Sequence, residues 1–242
     1  MESNQDRSIV PQPSRELAAP PIGANRILGE MVESSLAVAN VVTKEAELDA
    51  LVTEARRLQE QEGGAGNEMT PNNVRAFHLL LRAAEGGHAE AQYEFSYCLS
   101  FGVGVRCDQV EAHRWMALAA EQGFAEAQSK MGNPFNNNGE YVKAAEWYRK
   151  AAEQGHPFSQ QKLSEYYSYG KGLPQDFSQA YAWAKLAADA DNVEPTVNGS
   201  MGADPEGSEQ LAASVAAVLS PKRLEIAHAL YLEFKRKYSA KR

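Results

Sequence analysis

The chain has 242 residues, 43% of them apolar and 23% charged, with a formal net charge of −8. That length and apolar content suit one sizeable domain with tails, or a short repeat array. The acidic balance argues against nucleic acid as a partner, the two cysteines against a disulfide framework or structural zinc site, and the lack of 18 consecutive apolar residues against a membrane-spanning helix.

Residues 1–26 are polar and carry Pro11, Pro13, Pro20 and Pro21, which predicts a disordered Pro-rich leader. The stretch lacks the apolar core of a signal peptide, so a cytoplasmic setting is the expectation. Residues 27–62 read as one or two helices, with Leu48, Leu51, Val52, Ala55 and Leu58 on one stripe. That segment is expected to pack as the first helix of an incomplete unit, partnered by the helix that Thr70-Pro71 opens. Gly63 to Asn67 form a flexible joint between them.

From Thr70 to Ala190 the chain repeats. The strings "AAEGGH" (Ala83 to His88), "AAEQGF" (Ala119 to Phe124), "AAEQGH" (Ala151 to His156) and "AADADN" (Ala187 to Asn192) start 36, 32 and 36 residues apart. Leu79, Trp115, Trp147 and Trp183 stand four residues before each double alanine, and Ala76, Ala112, Ala144 and Ala180 three before those. Several independent positions in one register mark a repeat architecture. Each unit reads as two short antiparallel helices. Ala112, Trp115, Met116, Ala119 and Ala120 share one helical face. Gly87, Gly123 and Gly155 follow the last turn, where a left-handed conformation suits glycine. The turns "FGVGVRCD" (Phe101 to Asp108) and "YGKGLPQD" (Tyr169 to Asp176) align residue for residue, and each ends in an aspartate placed to N-cap the next helix.

The middle copy departs from this pattern. "NPFNNNGEYVKA" (Asn133 to Ala144) replaces the glycine-rich turn and is four residues shorter. Pro134 inside a helix predicts truncation near Gly132. The departure reads either as a tolerated irregularity or as a bend that reshapes the groove. Residues 191–207 read as a loop. Residues 208–242 form a last helix pair that caps the stack. From Pro221 onward seven basic residues face two acidic ones, a net +5 that leaves −13 on the rest of the chain. This basic tail is either a solvated helix face or an electrostatic docking tail.

These residues resemble the Sel-one-like repeat (SLR) family, a relative of the tetratricopeptide (TPR) superfamily. The resemblance rests on Phe95-Ser96, Gly102, Gly104, Val105, Asp108, Ala112, Trp115 and Ala119-Ala120. It recurs at Leu163-Ser164, Tyr167, Gly170, Gly172, Asp176, Ala180, Trp183 and Ala187-Ala188, and in the middle copy at Met131-Gly132, Ala144, Trp147-Tyr148 and Ala151-Ala152. It implies an all-α, right-handed superhelical solenoid of antiparallel helix pairs with N- and C-terminal capping helices. It also implies a scaffold or adaptor that binds a protein or peptide on its concave face, most often in bacteria. A secretion-linked chaperone or an immunity-type partner is an alternative of the same kind.

In such stacks the first helix of each pair lines the inside. Phe95, Cys98 and Leu99, and Leu163, Tyr166 and Tyr167, take the core side of those helices. The free face then carries Tyr93, Glu94, Tyr97, Ser129, Lys130, Gln161, Lys162 and Glu165, the candidate partner-binding residues. Tyr93 and Tyr97 are four apart, share a helix face and are of a type favoured at interface hot spots. An enzyme or small-molecule sensor on the same scaffold is the opposing class. The sequence carries no phosphate-binding loop, nucleophile elbow or metal spacing, and it implies no cofactor. His88 and His156 recur at one repeat position and read as structural. His78 and His113 read as surface residues, and Cys98 as a small buried hydrophobe.

Overall fold

The computed structural model describes residues 24–61, 69–189 and 204–238, with side chains from residue 41 onward. Among the described residues the chain is all helical: α1 (Ala24–Glu60), α2 (Pro71–Glu85), α3 (Ala89–Phe101), α4 (Gln109–Glu121), α5 (Ala125–Asn137), α6 (Tyr141–Ala152), α7 (Pro157–Tyr169), α8 (Phe177–Ala188), α9 (Pro205–Val218) and α10 (Pro221–Tyr238). Two compact units are present, Met1–Lys44 and Glu45–Arg242. The described part of the first is a continuous helical stretch. The second holds the rest of α1 and all of α2 to α10. Residues 1–23, 62–68, 190–203 and 239–242, which hold most of the stretch read as leader, the glycine joint and most of the stretch read as loop, lie outside the described residues.

Three boundaries differ from expectation. Helix α1 is one helix and begins at Ala24, within the stretch read as leader. Helix α9 begins at Pro205, within the stretch read as loop. Asp204 accepts a hydrogen bond from the Gly207 N–H at 2.8 Å, and Pro205 sits in the first turn, where a missing N–H costs nothing. Helix α5 continues through Pro134 to Asn137. Its last turn is held from outside: Tyr148 Oη donates to Asn133 Oδ1 and Tyr166 Oη to Asn136 Oδ1, each at 2.8 Å, while Phe135 packs into the core. These tertiary contacts outweigh the one backbone hydrogen bond that proline removes.

From α2 to α9 each helix packs on the next, and α10 folds back onto α8, so the second unit is an α solenoid. The packing follows the repeat register. Ala76, Ala83, Ala119, Ala144, Ala151, Ala180 and Ala187 are fully buried, because the helices approach until only a methyl group fits. The tryptophans close the gaps between units. Trp115 packs on the cluster of α1 to α3, and Trp147 on that of α3 to α5. Trp183 is 3% exposed and lies against Phe234 and Tyr238 of α10, ring centroids 4.6 and 5.5 Å away. The side chains of α1 from Leu48 to Leu58 cover the open side of the first cluster.

Polar links keep the same period. Gln92, Gln128 and Gln160 each donate to the carbonyl eight residues earlier, on the preceding helix, at 3.1–3.2 Å. Gln92 and Gln128 also accept from Gln122 and Gln154, at the end of the second helix of the same pair, at 2.7 and 2.8 Å. In repeat register the sequence has Ala190 in place of the next donor, and Gln160 Oε1, buried, has no partner among the described residues. The two recurring histidines are N-caps. Nδ1 of His88 accepts from the Ala91 N–H at 3.1 Å, and Nδ1 of His156 from the Ser159 N–H at 3.3 Å. Nε2 then carries the hydrogen and donates to Asp49 at 2.8 Å and to Glu126 at 2.7 Å. Each imidazole thus ties a helix start to a carboxylate of the preceding helix pair or of α1.

Helix α10 is fastened through Asp189, which accepts from Tyr231 Oη and pairs with Lys235 Nζ at 2.7 Å. Burial pushes the Asp189 carboxyl up, but the hydrogen bonds from Lys235 and Tyr231 prevail and hold it below the usual carboxylate range.

Two consequences are measurable. His156→Ala removes a cap and an inter-unit bond, and is expected to lower stability in urea unfolding by about 1–2 kcal/mol. A depressed folded-state value means that the Asp189 contribution is complete above the unfolded value of about 3.9 and is lost as pH falls through the lower folded one. Asp189→Asn should therefore lower the Tm at neutral pH, and the gap from wild type should shrink as acid protonates the native carboxylate.

Candidate functional site

The C-terminal halves of α3 and α5 and the start of α4 enclose an open cleft of about 650 Å³. Its lining includes Tyr93, Tyr97, Phe101, Gln109, Met116, Lys130, Asn133, Pro134, Asn137 and Asn138. One wall is aromatic. The Tyr97 and Phe101 rings lie 4.3 Å apart, and Phe101 stays 50% exposed although it is a large apolar side chain. Met116 and Pro134 add apolar surface. Lys130 is the only charged residue in the lining, and its contact with Glu126 is long, 3.9 Å. The Asn133 carbonyl oxygen is engaged by Tyr148, which leaves the amide nitrogen as a donor. Burial pushes the Tyr97 phenol up, with a smaller push from the Cys98 thiol, so Tyr97 is neutral at physiological pH and offers an O–H to a ligand.

The cleft exists because a turn is short. After α3 the chain returns through Gly102 to Cys107, and Gly104 lies on the backbone of Asn73 and Val74 at the start of α2. A Cβ there would come within 2.8 Å of Val74 N. After α7 the turn through Gly170 to Gln175 does the same. Gly172 lies on Tyr141 and Val142 at the start of α6, and a Cβ would come within 2.6 Å of Val142 N. Both glycines have positive φ, 68° and 66°. In repeat register the equivalent start on α4 is Gln109-Val110. After α5 only Asn138, Gly139 and Glu140 precede the next helix, and no return turn reaches it. Exposure follows: Asn73 is buried, Tyr141 half-buried and Gln109 exposed.

Three of the eight residues proposed from sequence, Tyr93, Tyr97 and Lys130, meet in this cleft. Tyr93 is 6% exposed, its ring 5.3 Å from that of Phe124, so it forms the floor and not a free face. Glu94 and Ser129 are buried as well, contrary to expectation. Glu94 is covered by α1: Arg56 Nε donates to it at 2.7 Å, and the same guanidinium reaches Glu90 at 2.6 Å. Burial pushes the Glu94 carboxyl up despite Arg56. Ser129 is 2% exposed. Gln161, Lys162 and Glu165 lie apart on α7, half-buried, with Lys162 and Glu165 paired at 2.9 Å. Phe101, Gln109, Met116 and the asparagines were not among the candidates. The irregular "NPFNNNGE" was the signal that pointed to them.

Among the described residues the cleft lining brings together no acid–base pair. Burial and Glu94 push the Cys98 thiol up to about 12, the mark of an unreactive cysteine. Cys107 is exposed at the rim and contacts the Ser100 carbonyl at 3.1 Å. Among the described residues no cluster of histidine, cysteine, aspartate or glutamate could hold a metal ion, and no helix is long and apolar enough to cross a membrane.

The model of the Sel1 repeat family matches residues 60–88, 89–124, 125–156 and 157–192, more than half of the chain. The chain belongs to the Sel1 repeat family. Each matched segment after the first is one helix pair of the structure, α3–α4, α5–α6 or α7–α8. A Sel1 repeat protein from Oxalobacter formigenes is 28% identical, with a TM-score of 0.50 over 58% of this chain and 98% of that one. A protective antigen of uropathogenic Escherichia coli with an SLR fold is 23% identical, with a TM-score of 0.48 over 82% of this chain and 48% of that one. Chitin synthase regulatory factor 3 of Schizosaccharomyces pombe is 34% identical over 68 residues, 28% of this chain and 7% of that protein. The chain thus spans less than half of the antigen and a small part of the yeast factor. Sel1 repeats act in protein–protein interaction.

Gly132 tests how the cleft is shaped. A Cβ there would lie 2.7 Å from the Tyr148 ring, which also holds Asn133. Gly132→Ala should destabilise the protein by about 1–3 kcal/mol in chemical unfolding, as overpacked cores do.

Proposed function

We propose that this protein is an interaction scaffold that holds a segment of a partner protein in the cleft between α3 and α5. The observation that carries this reading is the composition of the cleft. An aromatic pair, Phe101 exposed and Tyr97 half-buried, a methionine and a proline form its walls, and one cation and several amides supply polar contacts. An apolar centre with aromatic anchors and a polar rim is the anatomy of a protein interface. An enzyme or sensor site would instead close around convergent polar groups with shifted proton affinities. The cleft is open to solvent, and its titratable lining groups are two tyrosines and a lysine. Membership in an interaction-repeat family supports the same reading.

The test is site-specific photo-cross-linking in the protein's native cells. A benzophenone amino acid at Phe101 is expected to give adducts that map to one short segment of one protein. Tyr97→Ala combined with Lys130→Glu should lower that yield at least tenfold while the circular dichroism spectrum stays unchanged. The same probe at Val142, exposed on α6, serves as the control. Equal adduct patterns from both positions would remove the cleft from consideration.

A further inference from the structure

The cleft reading leaves open what kind of segment it takes, and the repeats themselves answer that. Four helix starts in this chain are equivalent: Asn73-Val74 on α2, Gln109-Val110 on α4, Tyr141-Val142 on α6 and Phe177-Ser178 on α8, the last of them half-buried. Two are covered by the chain's own return turns, "FGVGV" and "YGKGL". In both turns the second glycine lies backbone on backbone with positive φ, so any side chain there would collide. In both, the next residue is aliphatic and packs on the core: Val105 on the cluster of α1 to α3, Leu173 on the cluster that α6, α7, α8 and α10 share. The start on α4 has the same backbone to offer and no turn of its own. Its surroundings combine an apolar wall with the amides of Asn133, Asn137 and Asn138 and carry one positive charge, Lys130.

Resting on the scaffold reading above, we infer that the partner segment is a glycine-bearing turn that stands in for the missing one. It places a Gly-x-Gly backbone on Gln109-Val110, an aliphatic residue in the cleft and a carboxylate near Lys130. Glycine is required at the point of contact because a Cβ would meet helix backbone, which cannot yield as a flexible side chain can. The aliphatic residue meets Met116 and the aromatic wall. The carboxylate complements the only charge in the lining, and it would be the feature most sensitive to salt. The partner thus completes a unit that the chain leaves unfinished, using the fit the chain uses on itself.

The probe is a fluorescein-labelled peptide, Tyr-Gly-Glu-Gly-Leu-Pro-Gln-Asp, which is the chain's own α7 return turn with glutamate in place of its lysine. The comparison peptide has alanine for both glycines. Anisotropy titrations use the full chain and two blocked forms. In one, residues 137–140 are replaced by a second copy of Phe101 to Asp108, which supplies the missing turn within the chain. In the other, Gln109→Trp fills the same space from an exposed position without lengthening the chain, so the test survives if the graft does not fold. The glycine peptide is expected to bind the wild-type chain at least tenfold more tightly than the alanine peptide. It should bind either blocked form at least tenfold more weakly, and Lys130→Glu should weaken it several-fold. Equal binding of the two peptides overturns the inference and leaves the scaffold reading standing. So does the absence of peptide binding while the Phe101 cross-link still captures a partner segment. If neither peptide binds and the cross-link captures nothing, both readings fall.

Discussion

A two-helix unit of some 30 residues cannot bury its own apolar stripe, and most of what is seen in this protein follows from that limit. Each hairpin must give its stripe to the next. The alanines at the contact are there because the helices come close enough that nothing larger fits, and the tryptophans occupy the wedges that remain. The three core clusters each draw on more than one repeat. Stability is therefore a property of neighbouring pairs, and the ends need covers: α1 over the first unit and α10 over α8.

Polar groups buried by such stacking must find partners, and the repeat supplies them at the same interval as the alanines. The glutamines run from unit to unit, each satisfying the carbonyl of the helix before it, and they stop where alanine replaces the donor. The histidines combine an N-cap with a carboxylate contact, which only the Nε2-protonated neutral ring can do at once. In the unit where phenylalanine takes the histidine position there is no side-chain cap. These links add modest energy individually. Their larger effect is to set the register in which one hairpin meets the next, since a shifted register would leave each buried amide without a partner.

The cleft is the consequence of breaking the pattern once. A turn four residues shorter leaves one helix start uncovered, and the asparagines and proline of the middle copy line the opening. Tyr148 and Tyr166 hold the irregular helix end that forms one wall of the opening. A wall already held loses little order when the slot takes up a ligand, which favours binding without a change of fold.

The helix pairs of the repeats, their order, the caps at Asp108 and Asp176 and the membership in a repeat family were legible in the sequence, because periodicity, end signals and turn glycines act over a few residues; the caps at His88, His156 and Asp204 were not. The break at Pro134 was legible as a break, though not its outcome: a proline's local cost is known, but the tyrosines that offset it arrive from α6 and α7. Exposure on the inner face was not legible at all. Tyr93, Glu94 and Ser129 lie on the face assigned to solvent, yet Phe124, Arg56 and neighbouring helices bury them from distant points in the chain. Which inner-face residues stay open to a partner depends on what packs above them, and only the tertiary structure decides that.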